Sequence, residues 1–336
     1  MAEYKTLKGF EIQFLASDPA NPIAGQVFYN STTRTLKGAR AGAAADGTWA
    51  SGGNLTTARV RLAGAGTQTA GLAFGGASTT PSAPVQNVSE EYNGSSWAEG
   101  NNLNLARRSL AGAGTQTAAL GFGGYIPPGT AKNESEEYDG TSWAEGNNLN
   151  TARGYLAGFG IQTAALAVGG GKAPGGFTLA NEVELYDGTS WSEIAEINTA
   201  RHSLQGAGTT TAGLAFGGRT PSPTFNNESE EWNGTAWTEG NNLNTARGYF
   251  AGFGIQTAAL AAGGNVPGSP ALTANTEGYN GTSWTEVANL ATARRQLKGN
   301  GTQVAGLAYG GTTGSQTNAT EEFTAPDGVI VSFDVS

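Results

Sequence analysis

The chain has 336 residues, a formal net charge of −9, no cysteine and a single histidine, His202. An acidic chain lacks the basic footprint of a nucleic-acid binder and gains nothing from an anionic membrane surface. Without cysteine, disulfides and thiolate metal sites are excluded. Residues 1–20 hold no apolar leader core, and no stretch approaches the ~18 apolar residues of a membrane span. The chain is therefore expected to be soluble, without membrane insertion.

Residues 1–40 stand outside any repeat. FEIQFLA and GQVFYN are strand-like, and NSTTRTLKG continues the second as a hairpin. Some 40 residues are too few for a robust core of their own, so this segment is expected to pack on the rest of the chain or on a partner.

Beyond it, one unit recurs six times. Trp49, Trp97, Trp143, Trp191, Trp237 and Trp284 follow one another at a spacing of about 47. Six Gly-Gly pairs, from Gly75-Gly76 to Gly310-Gly311, keep step with them. So do Arg59, Arg107, Arg153, Arg201, Arg247 and Arg294. Within one unit, SLAGAGT and TAALGFGG read as two strands, ESEEY as a third and TSWAEG as a fourth. Asp139-Gly140 between the last two is a two-residue hairpin signal. Four short strands with tight turns at a fixed period describe a propeller blade. The fold class is all-β: a six-bladed β-propeller of four antiparallel strands per blade over 41–328, with a small N-terminal β segment (1–40) and a C-terminal strand or tail (329–336).

The repeat is offset at its ends. Trp49 lies in a fourth strand that lacks its first three, while the last unit ends at TEEF (320–323) without a tryptophan. Residues 47–52 are therefore expected to complete the last blade, with GVIVSFDV (328–335) as the competitor. GYLAGFGIQTAALAVGG (154–170) and GYFAGFGIQTAALAAGG (248–264) nearly match, which points to a two-blade duplication.

The repeated markers have packing explanations. Small first strands suit the crowded axis. The six tryptophans read as inter-blade core and the six arginines as clamps onto carboxylates or carbonyls. The acids of pairs such as Glu90-Glu91 and Glu136-Glu137 face opposite sides of a strand, so they cannot work together as acid and base. One acid of each pair is expected to meet an arginine and the other to face solvent. His202 reads as a packing residue. Strings such as GAGTQT lack the helix that a phosphate-binding loop needs.

The Gly-Gly pairs, with Tyr92/Trp97, Tyr138/Trp143, Tyr186/Trp191 and Tyr279/Trp284, resemble the kelch family over about residues 41–323; Trp232 stands where the pattern has Tyr. The resemblance implies a kelch-type propeller. It also brings up galactose oxidase, whose copper site needs two His and a Cys that this chain does not have. No enzyme activity, catalytic residue, metal or cofactor is expected. GQVFYNSTTRTLKG and the Gly-Ala-Thr-rich units resemble structural and tail-fibre proteins of marine tailed phages. That resemblance implies a virion protein, made in the cytoplasm during assembly. It would be anchored to other virion proteins through its N-terminal segment and would recognise a host-surface glycan or protein. The alternative is a cellular kelch-type interaction module.

In an up-down-up-down blade, the 2–3 loops share one face with the 4–1 connections. These loops vary in length and composition while the strands repeat, as expected where function sits on loops held by a rigid frame. Tyr125, Ile126, Lys172, Phe177, Arg219 and Phe225 are the candidate contacts. The low charge of these loops points to a neutral glycan or a mixed protein surface rather than a polyanion.

Overall fold

The computed structural model describes residues 12–19, 26–41, 47–78, 84–172, 178–221, 225–268, 271–326 and 328–332. Six four-stranded antiparallel sheets stand around a central channel, and no helix occurs among the described residues. Blade 1 runs Ala63–Gly66, Gly71–Phe74, Ser89–Tyr92 and Trp97–Glu99 from the axis outward. Blade 2 begins at Ala111–Gly114, blade 3 at Ala157–Ile161, blade 4 at Gln205–Gly208, blade 5 at Ala251–Ile255 and blade 6 at Lys298–Gly301. Each first strand contacts the next, around to closure.

Blade 6 closes the ring as the sequence offset requires. Thr48–Ser51 lies antiparallel to Thr320–Thr324, with Trp49 opposite Phe323. The competing strand, Gly328–Ser332, pairs instead with Thr35–Ala41. It extends a second small sheet in which Val27–Asn30 lies between Thr35–Ala41 and the parallel strand Gln13–Leu15. Asn30 Oδ1 accepts the N–H groups of Thr32 (3.0 Å) and Thr33 (2.9 Å), which fixes the turn of that hairpin. Both ends of the ring leave blade 6 at its 3–4 end, where Thr48 pairs with Thr324.

The core lies between blades, and glycine makes room for it. A Cβ at Gly112 would fall 2.7 Å from the Phe74 ring of blade 1. At Gly206 it would fall 2.4 Å from the Phe159 ring of blade 3. The wedge comes from the second strand in blades 1, 2 and 4 (Phe74, Phe122, Phe216). In blades 3 and 5, the near-identical pair, it comes from the first strand (Phe159, Phe253). The two-blade repeat is thus an alternation in which strand supplies the ring.

Polar staples cross the same interfaces. Trp143 Nε1 donates to Ser89 Oγ and Trp191 Nε1 to Ser135 Oγ of the preceding blade (3.0 and 3.1 Å). Gln116 Nε2 donates to the carbonyls of Gly71 and Tyr92 (3.1 and 2.7 Å). The second acid of each pair does not face solvent as a lone charge. Glu91 accepts the Tyr138 hydroxyl of the next blade at 2.5 Å, and Glu137, Glu231 and Glu322 accept Tyr186, Tyr279 and Tyr92. Burial, then the glutamate, pushes the Tyr92 hydroxyl up to about 12, so it remains a donor. Trp232 also finds its reason here. Leu185 stands where blades 1, 2, 4 and 6 have that glutamate, and Trp232 packs in the same cluster.

The 3–4 turns differ from the two-residue hairpin that Asp139-Gly140 suggests. Tyr138 pairs with Trp143, leaving four residues in the connection. Asp139 Oδ1 accepts the N–H groups of Thr141 and Ser142, and Gly140 takes φ 88°. An Asx turn, held by the side chain, replaces the tight backbone turn.

Candidate functional site

The arginine clamps come first, because they account for most of the buried charge. Arg59 pairs with Glu90 (2.8 Å), Arg107 with Glu136 (2.7 Å), Arg153 with Glu184 (2.9 Å), Arg201 with Glu230 (3.0 Å), Arg247 with Glu277 (2.6 Å) and Arg294 with Glu321 (3.2 Å). All six arginines are fully buried. The same carboxylates accept backbone N–H groups of the incoming connection, as Glu136 does from Asn104 (2.6 Å). Each clamp therefore ties the connection from one blade to the third strand of the next. These groups are consumed in holding the frame.

Two residues after each clamp arginine the chain does something that the frame does not need. Arg61, Ser109, Tyr155, Ser203, Tyr249 and Gln296 all have φ between 55° and 59°. This left-handed conformation costs a non-glycine residue roughly 1–2 kcal/mol. Their backbones form a closed ring. Ser109 N–H donates to Arg61 O, Tyr155 to Ser109, Ser203 to Tyr155, Tyr249 to Ser203, Gln296 to Tyr249 and Arg61 to Gln296, at 2.6–3.2 Å. A net gain of about 1 kcal/mol per bond largely offsets the strain. The ring rims the channel at the end bearing the 2–3 loops and turns its six side chains, of four types, toward the mouth.

The side chains of blades 1, 3, 5 and 6 meet over that mouth. Arg61 Nη1 donates to the Tyr155 hydroxyl at 2.7 Å, and its guanidinium lies 5.3 Å from the Tyr155 ring centroid. The Gln296 amide oxygen, turned toward Arg61, accepts from Nε and Nη2 at 3.1 and 3.0 Å. Tyr155 and Tyr249 meet edge to face at 6.1 Å. Beneath them the channel narrows to a cavity of about 60 Å³, lined by Leu62, Leu110, Leu156 and Leu204. A ligand of sugar or peptide size must therefore rest on the face.

A larger cleft opens beside the ring. Its volume is about 640 Å³, and Tyr155, Leu179, Ala200, His202, Arg219, Thr220, Pro221 and Tyr249 line it. His202 is buried, and its Nδ1 meets Ser203 Oγ at 2.8 Å. Burial, then the Arg219 charge, lowers its pKa to about 4, so the imidazole is neutral near pH 7. Arg219 lies over the Phe225 ring (4.8 Å) and near Tyr249 (5.8 Å).

The structure pairs each 2–3 loop with the 4–1 connection beside it, through bridges such as Arg108 with Tyr125 and His202 with Arg219. Of the candidates named from sequence, Arg219 lines the cleft and Phe225 stacks on it. Tyr125 is half-buried against Arg108 (5.8 Å) and Tyr155 (6.1 Å), not freely exposed. Ile126 follows it in a two-residue strand. Lys172 is engaged by Glu182. Phe177 lies outside the described residues. Sequence reasoning missed Arg61, Arg108, Tyr155 and Tyr249. The available signal was the fourth residue of each ARxx step, which changes from blade to blade (Arg, Ser, Tyr, Ser, Tyr, Gln) inside a frame that repeats.

No known family model matches this chain, and no curated protein matches it. Solved structures do. The one titled "Structure of YjhT" superposes with a TM-score of 0.68 at 12% identity, covering 84% of this chain and 99% of that one. The chain is a β-propeller. At that identity the likeness establishes the propeller's fold alone.

Proposed function

We propose that this propeller is a non-enzymatic recognition module that receives its ligand on the face of the 2–3 loops, across the channel mouth. One observation carries this reading. Aromatic rings and arginines converge there around a cleft, whereas the charged residues of the frame are taken up by one another. Rigid aromatic surface beside a cationic fork suits a sugar or a protein side-chain surface. The non-enzymatic reading rests on the disposition of the acids: the first of each pair is clamped by arginine and the second is capped by a tyrosine.

The finer reading is a receptor-binding protein of a virion. It rests on the resemblance of residues 25–38 to phage appendage proteins and on the exit of both ring ends at the 3–4 end of blade 6, away from the loop face. An N-terminal sheet fixed to a particle would then leave the loops facing outward. The test is binding of the wild type and of Tyr155→Ala/Tyr249→Ala to a glycan array and to candidate host cells. Loss of binding at an unchanged melting temperature is the expected result. Full binding by the double variant, with loss on changes at 12–38, would assign recognition to the N-terminal sheet instead.

A further inference from the structure

The chain is acidic, but its charge is not evenly spread. Glu99, Glu145, Glu193, Glu239 and Glu286 are exposed on the outer strands, which makes the rim acidic. At the mouth the balance reverses. Arg61, Arg108, Arg219 and Arg295 lie there, and none is within ion-pair distance of a carboxylate among the described residues. The loop segments 79–83, 173–177, 222–224 and 269–270, outside the described residues, contain no Asp or Glu that could supply one. Glu134, Glu182 and Glu228, the acids at the bases of these loops, are already paired with Lys132, Lys172 and Arg201.

Arg108 is the sharpest case. It is only 6% exposed, and its Nε and Nη1 are buried without a hydrogen-bond partner. It lies against the Tyr125 ring, beside Arg61 and Tyr155. Burial first, and the like charge of Arg61 second, push its guanidinium below its ordinary pKa. A buried cation next to a second cation is costly unless an anion completes the arrangement. Arg61 is held in place by neutral acceptors only, Tyr155 and Gln296, which orient its fork without cancelling its charge. Deeper in the channel, Lys298 adds a third cation, held by Gln205 at 3.3 Å. The low charge of the loops points to a neutral ligand, but Arg61, Arg108 and Arg295 come from the 4–1 connections rather than from the loops.

We propose that Arg61 and Arg108 form an oxyanion subsite at the mouth of the propeller. There they take the carboxylate or phosphate of a small polar ligand whose body rests on Tyr125 and Tyr155. Guanidinium forks recognise planar or tetrahedral oxyanions bidentately, and an acidic rim around a basic mouth steers an anion to the centre. The subsite deepens the recognition reading of the loop face and rests on it.

The test is calorimetric titration of the full chain with glucuronate, glucose 6-phosphate and glucose, repeated for Arg108→Met, Arg61→Met and Lys37→Met, a control in the N-terminal sheet away from the loop face. One or both anions should bind at least tenfold more tightly than glucose, and the preferred anion tells carboxylate from phosphate. Binding should weaken with salt. Arg108→Met and Arg61→Met should each lower anion affinity at least tenfold, with Lys37→Met unchanged. Equal affinity for glucose and both anions, no anion binding, or an Arg108→Met variant with undiminished anion affinity would overturn the subsite. A neutral glycan that binds the same face, and is lost in Tyr155→Ala/Tyr249→Ala, would leave the recognition reading standing without the subsite.

Discussion

Arg107 and Arg108 are consecutive, both buried, and belong to different parts of the molecule. Arg107 meets Glu136 at 2.7 Å and helps to lock blade 2, in a contact repeated around the ring. Arg108 meets an aromatic ring, another arginine and no carboxylate. The same contrast separates Arg294 from Arg295, which donates only to the Asn265 amide oxygen at 3.3 Å. Where a charge repeats in every blade, its partner repeats with it. The arginines of the 4–1 connections that appear in some blades only, Arg61, Arg108 and Arg295, have no carboxylate within ion-pair distance among the described residues. Regularity in this molecule marks structure, and departure from regularity marks the proposed recognition face.

The most severe way to break that contrast is to remove one half of a clamp. Glu136→Ala leaves the Arg107 guanidinium buried without its counter-charge and should cost about 3–5 kcal/mol of stability, read from the denaturation midpoint. A loss below about 1 kcal/mol would mean that the clamps are incidental.

The next effect is a pH dependence at the mouth. The folded pKa of His202 is depressed to about 4 from the usual 6.5, so protons bind the unfolded chain more readily. Its contribution to stability is full above pH 6.5 and is lost as pH falls toward 4, by about 3 kcal/mol in total. Denaturant melts at pH 7 and pH 4.5 should show this loss in the wild type and a smaller one in His202→Gln.

The smallest effect sharpens the view of the ring. Ser203 holds φ 55°, so Ser203→Gly relieves strain but adds backbone entropy to the unfolded chain. The net change should be a gain below about 1 kcal/mol. A loss above that would show that the serine side chain holds the ring together.

The frame was legible in the sequence because periodic markers report periodic contacts. The spacing of Trp49 to Trp284 and the missing final tryptophan place the blades and the closing strand correctly. The solvent-facing second acid was misplaced because its partner, a tyrosine hydroxyl, comes from a neighbouring blade some 47 residues away, a pairing no local pattern reveals. Asp139-Gly140 suggested a shorter turn because the dipeptide also serves an Asx turn. The mouth was hidden for a different reason. Positions 61, 109, 155, 203, 249 and 296 share a backbone conformation but not a residue type, so no repeated letter marks the ring. Tyr155 and Tyr249 read as part of a repeated strand until the ring turns them inward.

The most direct test is a paired measurement on Arg107→Met and Arg108→Met: unfolding free energy and affinity for glucuronate and glucose 6-phosphate, on the same preparations. Arg107→Met should lose about 3 kcal/mol or more, because Glu136 is left buried and unpaired, with anion affinity in the remaining folded protein unchanged. Arg108→Met should keep or gain stability and lose anion affinity at least tenfold. The opposite pattern, with Arg108→Met unfolding easily and binding anions as before, would contradict the division between frame and mouth.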